Sequence, residues 1–420
     1  MDVPRALRID REASAASIKA DVEALSAPRF TSSTTAICRY AYSDAYGNTH
    51  DYFAAQLRGL GFEVTEDPVG TLVARNRPRG EPVFALGSHF DSNRNGGKYD
   101  GTLGVLTALE VCRLNHELGL HLPLQLISFL EEEGSGFGQM LLGSRIMAQR
   151  VSEEDLRDRF RSLDDGMSFW EHASKAGYRP DLWQESIRVL DDALGWIELH
   201  IEQGRVLQDT GHRLGVVTAI AGYIHADILL DGRADHSGAT PMDFRRDVAP
   251  AAGEILLQAE RLARAAGDGT VATVGEISFE PGLINVVPGR ARLSLDTRGV
   301  SEDAYTSVAR DVEAFAQTVA HRRELRANYR ERQRAPATGM DATIVDALDA
   351  AASLAGEPYM RMTSGAAHDT MCVADLTRTA MVFIPCRDGI SHSPDEQADP
   401  GDAALGAEVI LNAVGALTGQ

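Results

Sequence analysis

Cysteine is scarce in this chain, with four in 420 residues. Cys38, Cys112, Cys372 and Cys386 lie far apart and form no C-x-x-C pair. That excludes a disulfide framework and a thiolate zinc site, and points to reduced thiols in the cytoplasm. Long apolar runs are also missing: no stretch approaches the ~18 consecutive apolar residues of a membrane span. The opening "MDVPRALRIDREAS" has acidic residues early and no apolar centre, so it is not expected to be a secretory signal. Positive charge is in deficit, with 41 Lys and Arg against 61 Asp and Glu, a formal charge of −20. Such a surface repels polyanions, so nucleic acid and anionic membranes are not expected partners. Internal repeats and low-complexity tracts are absent as well.

What is there is globular. The hydrophobic fraction of 44% and charged fraction of 24% suit a folded chain, and the length is too great for one ordinary core. "PVFALGSH" (82–89) and "LPLQLISFL" (122–130) are short apolar runs of the kind buried in parallel sheets. Between them, "TLGVLTALEVCRLNHELG" (102–119) predicts a helix, completing a βαβ unit. "TAMVFIPC" (379–386) predicts a third such strand. In open α/β sheets, sites gather beyond the carboxyl ends of the strands, and here those ends carry His89, the run Glu131-Glu132-Glu133, and His392.

The pattern changes near residue 214. "LGVVTAIAGYIHADILLDGRA" (214–234) alternates as an antiparallel hairpin would. A helix over about 246–266 follows, then strands near 270–279 and 290–298. A helix over 301–322 opens on a Ser-x-x-Ala cap, and a strand is expected over 324–332. That order, ββαββαβ or close to it, suits a small α+β layer inserted into the larger domain. The expected organisation is a catalytic domain over 1–213 and 331–420, a central mixed sheet flanked by helices, interrupted by a ferredoxin-like domain over 214–330.

The segment "GSHFDSNRNGGKYDGTLGVL" (87–106) sets His89, Asp91 and Asp100 among five glycines. Hard and borderline divalent cations take imidazole and carboxylate ligands on rigid backbone. His89, Asp100, Glu132, Glu133, His200 in "WIELHIEQG" and His392 in "GISHSP" supply that chemistry. Singly each is more often a surface or hydrogen-bonded histidine, a turn aspartate, or part of a solvated acidic run or helix N-terminus.

Together with "EEEGSGFGQMLLGSR", "ELHIEQGRVL", "INVVPGRARLSLDTR", "SGAAHDTM" and "GISHSPDE", they resemble one group in order and spacing. The chain is similar to the hydantoinase/carbamoylase-type amidases of the M20 metallopeptidase superfamily: N-carbamoyl-L-amino-acid hydrolases, allantoate amidohydrolases and β-ureidopropionases. The resemblance spans roughly residues 30 to 415. It implies a zinc-exopeptidase-like catalytic domain with an inserted lid and dimerisation domain, and two divalent ions per subunit (Zn, Mn, Co or Ni).

By the resemblance, His89 and His200 hold one ion, Glu133 and His392 the other, and Asp100 bridges them. Asp91 is the carboxylate behind His89 that fixes its tautomer. Glu132 is the general base for a metal-bridging water; Glu131 receives no role. Arg298 pairs with the substrate carboxylate, with Gln203, His236 and Asn285 also around the substrate and Ser364, Gly365 and His368 on a loop near it. His236 is further implied to reach from one subunit of a homodimer into the site of the other, stabilising the oxyanion.

The implied reaction is hydrolysis of a linear C–N bond in an N-carbamoyl or N-acyl amino acid. The alternatives are an allantoate- or ureidoglycolate-type amidohydrolase, an aminopeptidase or dipeptidase of the same superfamily, and a metal-free binding protein on this scaffold. Two departures bear on the substrate. Gly136 stands where relatives commonly have arginine, in an E-E-G-x-R-F pattern, and Asn93-Arg94 where they often have valine-proline.

Overall fold

The computed structural model describes residues 7–419; the first six residues of the opening segment lie outside the described residues. Strands are numbered along the chain. Of the described residues, the larger of two compact units comprises 7–218, 340–362 and 367–419, and the smaller 219–339 and 363–366.

The larger unit is built on β1 (Glu63–Glu66), β2 (Leu72–Arg75), β3 (Val83–His89), β4 (Leu124–Phe129), β5 (Ala193–Ile201) and β6 (Leu214–Ile220), together with β15 (Tyr359–Ser364) and β16 (Thr379–Ile384) from the returning chain. The sheet order is β1-β2-β4-β3-β5-β16-β6, with β15 also paired to β6. β3 runs parallel to β4 and β5, and β16 parallel to β5, whereas β1, β2 and β6 join antiparallel. The sheet is therefore mixed.

Every residue of β3, β4 and β16 is buried, as helices on both faces of a parallel sheet require. The βαβ helix is Thr102–Glu117, with its apolar residues on more than one face buried; this is why the segment reads as apolar throughout rather than as a stripe. The helices Arg11–Leu25, Ala342–Ala355 and Pro400–Thr418 contribute to the same core. All four cysteines are free thiols. Among the described residues no helix is long and apolar enough to cross a membrane.

The smaller unit contains β7 (Gly222–Asp231), β8 (Asp235–His236), β9 (Val271–Thr273), β10 (Ile277–Glu280), β11 (Val286–Val287), β12 (Arg290–Gly299), β13 (Arg326–Ala335) and β14 (Thr338–Gly339). Its sheet has the order β10-β12-β7-β13, with β9 also on β12. The helices Val248–Ala266 and Glu302–Arg322 bury one face of it, and the second is capped by Ser301, whose hydroxyl accepts the Ala304 N–H at 3.3 Å. Such a cap contributes about 1 kcal/mol. Along β12 burial alternates: Ala291, Leu293, Leu295 and Thr297 face the helices, leaving Arg292, Ser294, Asp296 and Arg298 on the other face.

Two expectations need correction. The segment 214–234 is not a hairpin: β6 pairs with β16 in the larger sheet, while β7 pairs with β12 and β13 in the smaller. Alternation reports a half-buried strand and is silent on its partner. The unit boundaries fall at 218/219 and 339/340 rather than at 214 and 330, because β13 continues to Ala335 in a charged run, "RANYRERQRA", with no apolar stripe to mark its end.

Candidate functional site

The parallel strands deliver their terminal residues to one edge. His89 ends β3, and His200 is the penultimate residue of β5. The turn after β4 carries Glu131, Glu132 and Glu133, with Glu131 at φ 57°. Asp100 closes the loop before the helix Thr102–Glu117. Gly101 makes that approach feasible, since it has φ +60° and a Cβ there would lie 2.2 Å from the His89 ring. The glycines of the opening motif thus let backbone come into contact with an imidazole.

At the centre is the Asp100 carboxylate, buried and two-faced. Its Oδ1 lies 3.0 Å from His200 Nε2 and 3.9 Å from His89 Nε2. Its Oδ2 lies 3.2 Å from His392 Nε2, which is itself 3.3 Å from Glu133 Oε2. Two ligand-type groups result, His89–Asp100–His200 and Asp100–Glu133–His392, the potential ligand atoms within each lying within 4.8 Å of one another. Glu132 sits beside them, its Oε2 3.7 Å from His89 Nε2. Gln203 donates to Asp100 Oδ2 at 2.9 Å.

Asp91 lies behind the group. His89 Nδ1 is 3.0 Å from the Asp91 carbonyl oxygen and 3.6 Å from its carboxylate Oδ1, so the nearer acceptor is the main chain. The Asp91 carboxylate instead accepts the backbone N–H groups of Glu132 and Glu133.

Electrostatics mark the centre as short of positive charge. Burial works against a charged His89, but Glu132, Asp91 and Asp100 outweigh it and hold the imidazole well above its usual pKa. Burial works to raise Asp100, but His200 and His392 pull it well below the carboxylate range. Burial and Asp100 push Glu133 up to about 7, and burial with Glu133, Asp369 and Asp91 raises Glu132 well above its ordinary value. The hydrogen bond to Asp100 lifts His392 to about 9. A packed set of buried carboxylates facing imidazole nitrogens is the donor chemistry that divalent cations need. The residues fit such ions.

Several groups carry no sequence signal of their own. Ser391 Oγ lies 2.8 Å from Asp100 Oδ2 and 3.0 Å from Glu396 Oε2, with one O–H to give to either, and the buried Glu396 also accepts the N–H groups of Tyr99 and Asp100. Glu198, His200 and His368 form a third buried group of ligand type. Glu198 is tied there by Ser88 and Thr370 at 2.8 and 2.6 Å. His368 is buried against the His200 ring, with centroids 4.5 Å apart.

Glu131 has a structural task. Its carboxylate accepts N–H groups from Gly136 and Phe137 in its own loop and from Ala41, joining two loops. A Cβ at Gly136 would come within 3.0 Å of that carboxylate, so a side chain there competes with Glu131 for space.

The smaller unit holds the other candidates. On the open face of its sheet, Arg298 donates through Nε and Nη2 to Asp296 at 2.9–3.1 Å and through Nη1 to the Gly365 carbonyl at 2.9 Å. Burial works to raise Asp296, but His225 and Arg298 more than offset it and keep the carboxyl low. Ser364 accepts the Ala221 N–H through its carbonyl. His236 lies on β8, which pairs with β11, and the neighbouring Asn285 carbonyl accepts the Ser237 N–H. His236 is exposed, and its Nδ1 accepts N–H groups from Gly238 and Ala239, each at 3.1 Å. An imidazole accepting at Nδ1 carries its proton at Nε2 when neutral.

Known proteins resemble this chain in sequence and fold. The model of peptidase family M20/M25/M40 matches residues 82–416. The chain is 34% identical to an N-carbamoyl-L-amino-acid amidohydrolase of Paenarthrobacter aurescens over 97% of its length and 99% of the relative's. It is 35% identical to a ureidoglycolate hydrolase of Oryza sativa subsp. japonica, covering 91% and 81%. A solved amidase of the hydantoinase/carbamoylase family from Burkholderia multivorans superposes with a TM-score of 0.87 at 29% identity, covering 98% and 99%. On its sequence and fold, the chain belongs to peptidase family M20/M25/M40, in the amidase branch of hydantoinase/carbamoylase type.

Proposed function

We propose that this chain is a binuclear metal-dependent amidohydrolase that cleaves the linear C–N bond of an N-carbamoyl or N-acyl amino acid. The observation that carries the reading is Asp100, whose two oxygens face two different sets of ligands with Glu132 alongside. His89, Asp100 and His200 would hold one divalent ion, and Asp100, Glu133 and His392 the other. Such a pair supplies Lewis acidity that lowers the pKa of water and polarises a carbonyl. Zn, Mn, Co and Ni all suit these ligands.

The protein's own residues do the rest. Glu132 is buried and adjacent to the ligands, so it takes the attacking water's proton at its carboxylate and passes it to the leaving nitrogen. Arg298 receives the substrate carboxylate on guanidinium edges that Asp296 and Gly365 hold in one plane. Gln203, Asn285, Ser364, Gly365 and His368 complete the substrate's surroundings in this reading. The protein acts as a homodimer through its inserted lid, with His236 serving the partner subunit's site as an Nε2–H donor to the oxyanion. The free thiols support a reducing compartment, and we assign the protein to the cytoplasm.

A second reading, an allantoate or ureidoglycolate amidohydrolase, has support from the rice relative. A superfamily dipeptidase would accept a free ammonium beside two cations, which is electrostatically disfavoured. A metal-free binder would have no use for Glu132 beside a full ligand set. The deciding experiment is a hydrolysis screen of metal-stripped protein reloaded with each of the four ions. The substrates are N-carbamoyl amino acids, N-acyl amino acids, allantoate, ureidoglycolate and dipeptides. Turnover of N-blocked acids alone supports the first reading; turnover of dipeptides alone overturns it.

A further inference from the structure

The three histidines of the centre share an orientation. Each presents Nε2 to carboxylate oxygens, at 3.0 to 3.9 Å, and turns Nδ1 away. Two of the outward nitrogens meet a main-chain carbonyl: His89 Nδ1 is 3.0 Å from Asp91 O, and His200 Nδ1 is 2.9 Å from Ile201 O. The third, His392 Nδ1, lies 3.4 Å from the side-chain amide of Asn93. The backbone N–H of Asn93 also donates to Glu133 Oε1 at 3.2 Å. One loop residue therefore touches both Glu133 and His392, which share one ligand group with Asp100.

We propose that Asn93 is the positioning residue of the Glu133–His392 ion, an inference that rests on the two-ion reading above. An imidazole that ligates through Nε2 is neutral and keeps its proton on Nδ1, and that proton needs an oxygen acceptor. The Asn93 carboxamide has such an oxygen, and its O and N ends exchange by a half-turn of the amide. With the oxygen turned inward, Asn93 accepts from Nδ1–H and fixes both the tautomer and the ring plane. His392 needs this more than its fellows, because its side chain is 47% exposed and those of His89 and His200 are 2% exposed. Packing holds the two buried rings; a hydrogen bond must hold the third.

The test is equilibrium binding of Zn²⁺ to metal-stripped protein, read by competition with a chelator. It compares wild type with Asn93→Val and Asn93→Asp, each alone and in a His392→Ala background. Wild type is expected to take two ions. Asn93→Val, which keeps the backbone N–H to Glu133, should weaken one of them by about 10–100-fold, the range for a lost partner behind a ligand. The other ion should be unaffected. Asn93→Asp should stay within a few-fold of wild type, because a carboxylate also accepts from Nδ1–H. In the His392→Ala background, Asn93→Val should change nothing further, since the ring it orients is gone. Unchanged affinity for both ions in Asn93→Val overturns the inference and leaves the two-ion reading standing. Equal weakening by Val and Asp overturns it too, as that reflects general damage to the loop. Fewer than two ions in wild type overturns the two-ion reading, and this inference with it.

Discussion

Asp91 accepts the backbone N–H of Glu132 at 3.0 Å, and its second oxygen accepts that of Glu133 at 2.9 Å. With its carbonyl 3.0 Å from His89 Nδ1, one residue sets the position of three others across two loops. Replacing Asp91 with Asn turns one acceptor into an NH₂ group facing an N–H, which removes one buried hydrogen bond and opposes two donors. The loss is about 1–3 kcal/mol of stability. We expect Asp91→Asn to lower the melting temperature and to reduce kcat by roughly 10–100-fold, the range for a displaced orienting group. A variant as stable and as active as wild type would remove Asp91 from this role.

Glu132→Gln separates chemistry from binding. Glutamine is nearly isosteric but cannot take a proton, so metal content measured by atomic emission should stay at the wild-type level. Turnover should fall by on the order of 10²–10⁴. Glu131 is not a substitute base, since its carboxylate is occupied by three backbone N–H groups from two loops. A Glu132→Gln variant that turns over at wild-type rate would refute the assignment.

The Asp296–Arg298 pair predicts two different kinetic signatures. Arg298→Lys keeps the charge and loses the planar fork, so kcat/KM for carboxylate substrates should fall through KM. Asp296→Asn keeps the guanidinium but frees it from its partner, so KM should rise less than in Arg298→Lys. Amide analogues lacking the carboxylate should be insensitive to both changes. If Arg298→Lys impairs the amides as much as the acids, Arg298 does not read the carboxylate.

Strands β3, β4 and β16 were legible because a fully buried parallel strand is a continuous apolar run, whereas β5, which carries His200 amid polar residues, was not. The Ser301 cap and the helix after it were legible because capping is local. Partner choice was not: β6 and β7 have the alternation of a hairpin, yet they enter different sheets. Among polar residues, the ligand types stood out in motifs, whereas Ser391, Glu396 and Glu198 are common residues whose work depends on what lies across the fold. Glu396 meets Tyr99 and Asp100 nearly 300 residues earlier in the chain. Glu131 lay in plain view within "EEEG", but its backbone donors come from Ala41 and Phe137, which no spacing rule connects to it.

Metal removal should destabilise the protein in a pH-dependent way. Without cations, Glu131 and Glu133 have folded pKa values raised to about 7 and His392 to about 9. A raised pKa gives stability that is complete below the unfolded value and is lost as pH climbs through the folded one. The stripped protein should therefore melt lower at pH 9 than at pH 5. Asp100, held low, gives its stability back only under strong acid, outside that window. Reloading should raise the melting temperature at neutral pH, because each ion at a free concentration a thousandfold above Kd adds roughly 4 kcal/mol of stability. Calorimetry of stripped and reloaded protein across this pH range checks both parts; equal melting temperatures for the two forms at neutral pH would mean that no structural ion binds.

The role proposed for His236 is tested by mixing two dead enzymes. His236 is exposed, and Gly238 and Ala239 hold its Nδ1 as an acceptor, so the neutral ring offers Nε2–H outward. If that donor serves the partner subunit, His236→Ala and Glu132→Gln are each inactive as homodimers. A heterodimer of the two has one site with an intact base and an intact donor, and one site lacking both. Co-refolding the variants with different tags gives random pairing, in which half the dimers are mixed and each has one good site of two. The mixture should recover about a quarter of wild-type activity, and the doubly tagged fraction about half. His236→Gln, which retains an N–H donor, should keep more activity as a homodimer than His236→Ala, as a lost oxyanion donor costs about 10²–10³ in kcat. Purified heterodimers without activity would show that His236 does not act across a dimer, and a chain that stays monomeric at assay concentration would end the proposal at once.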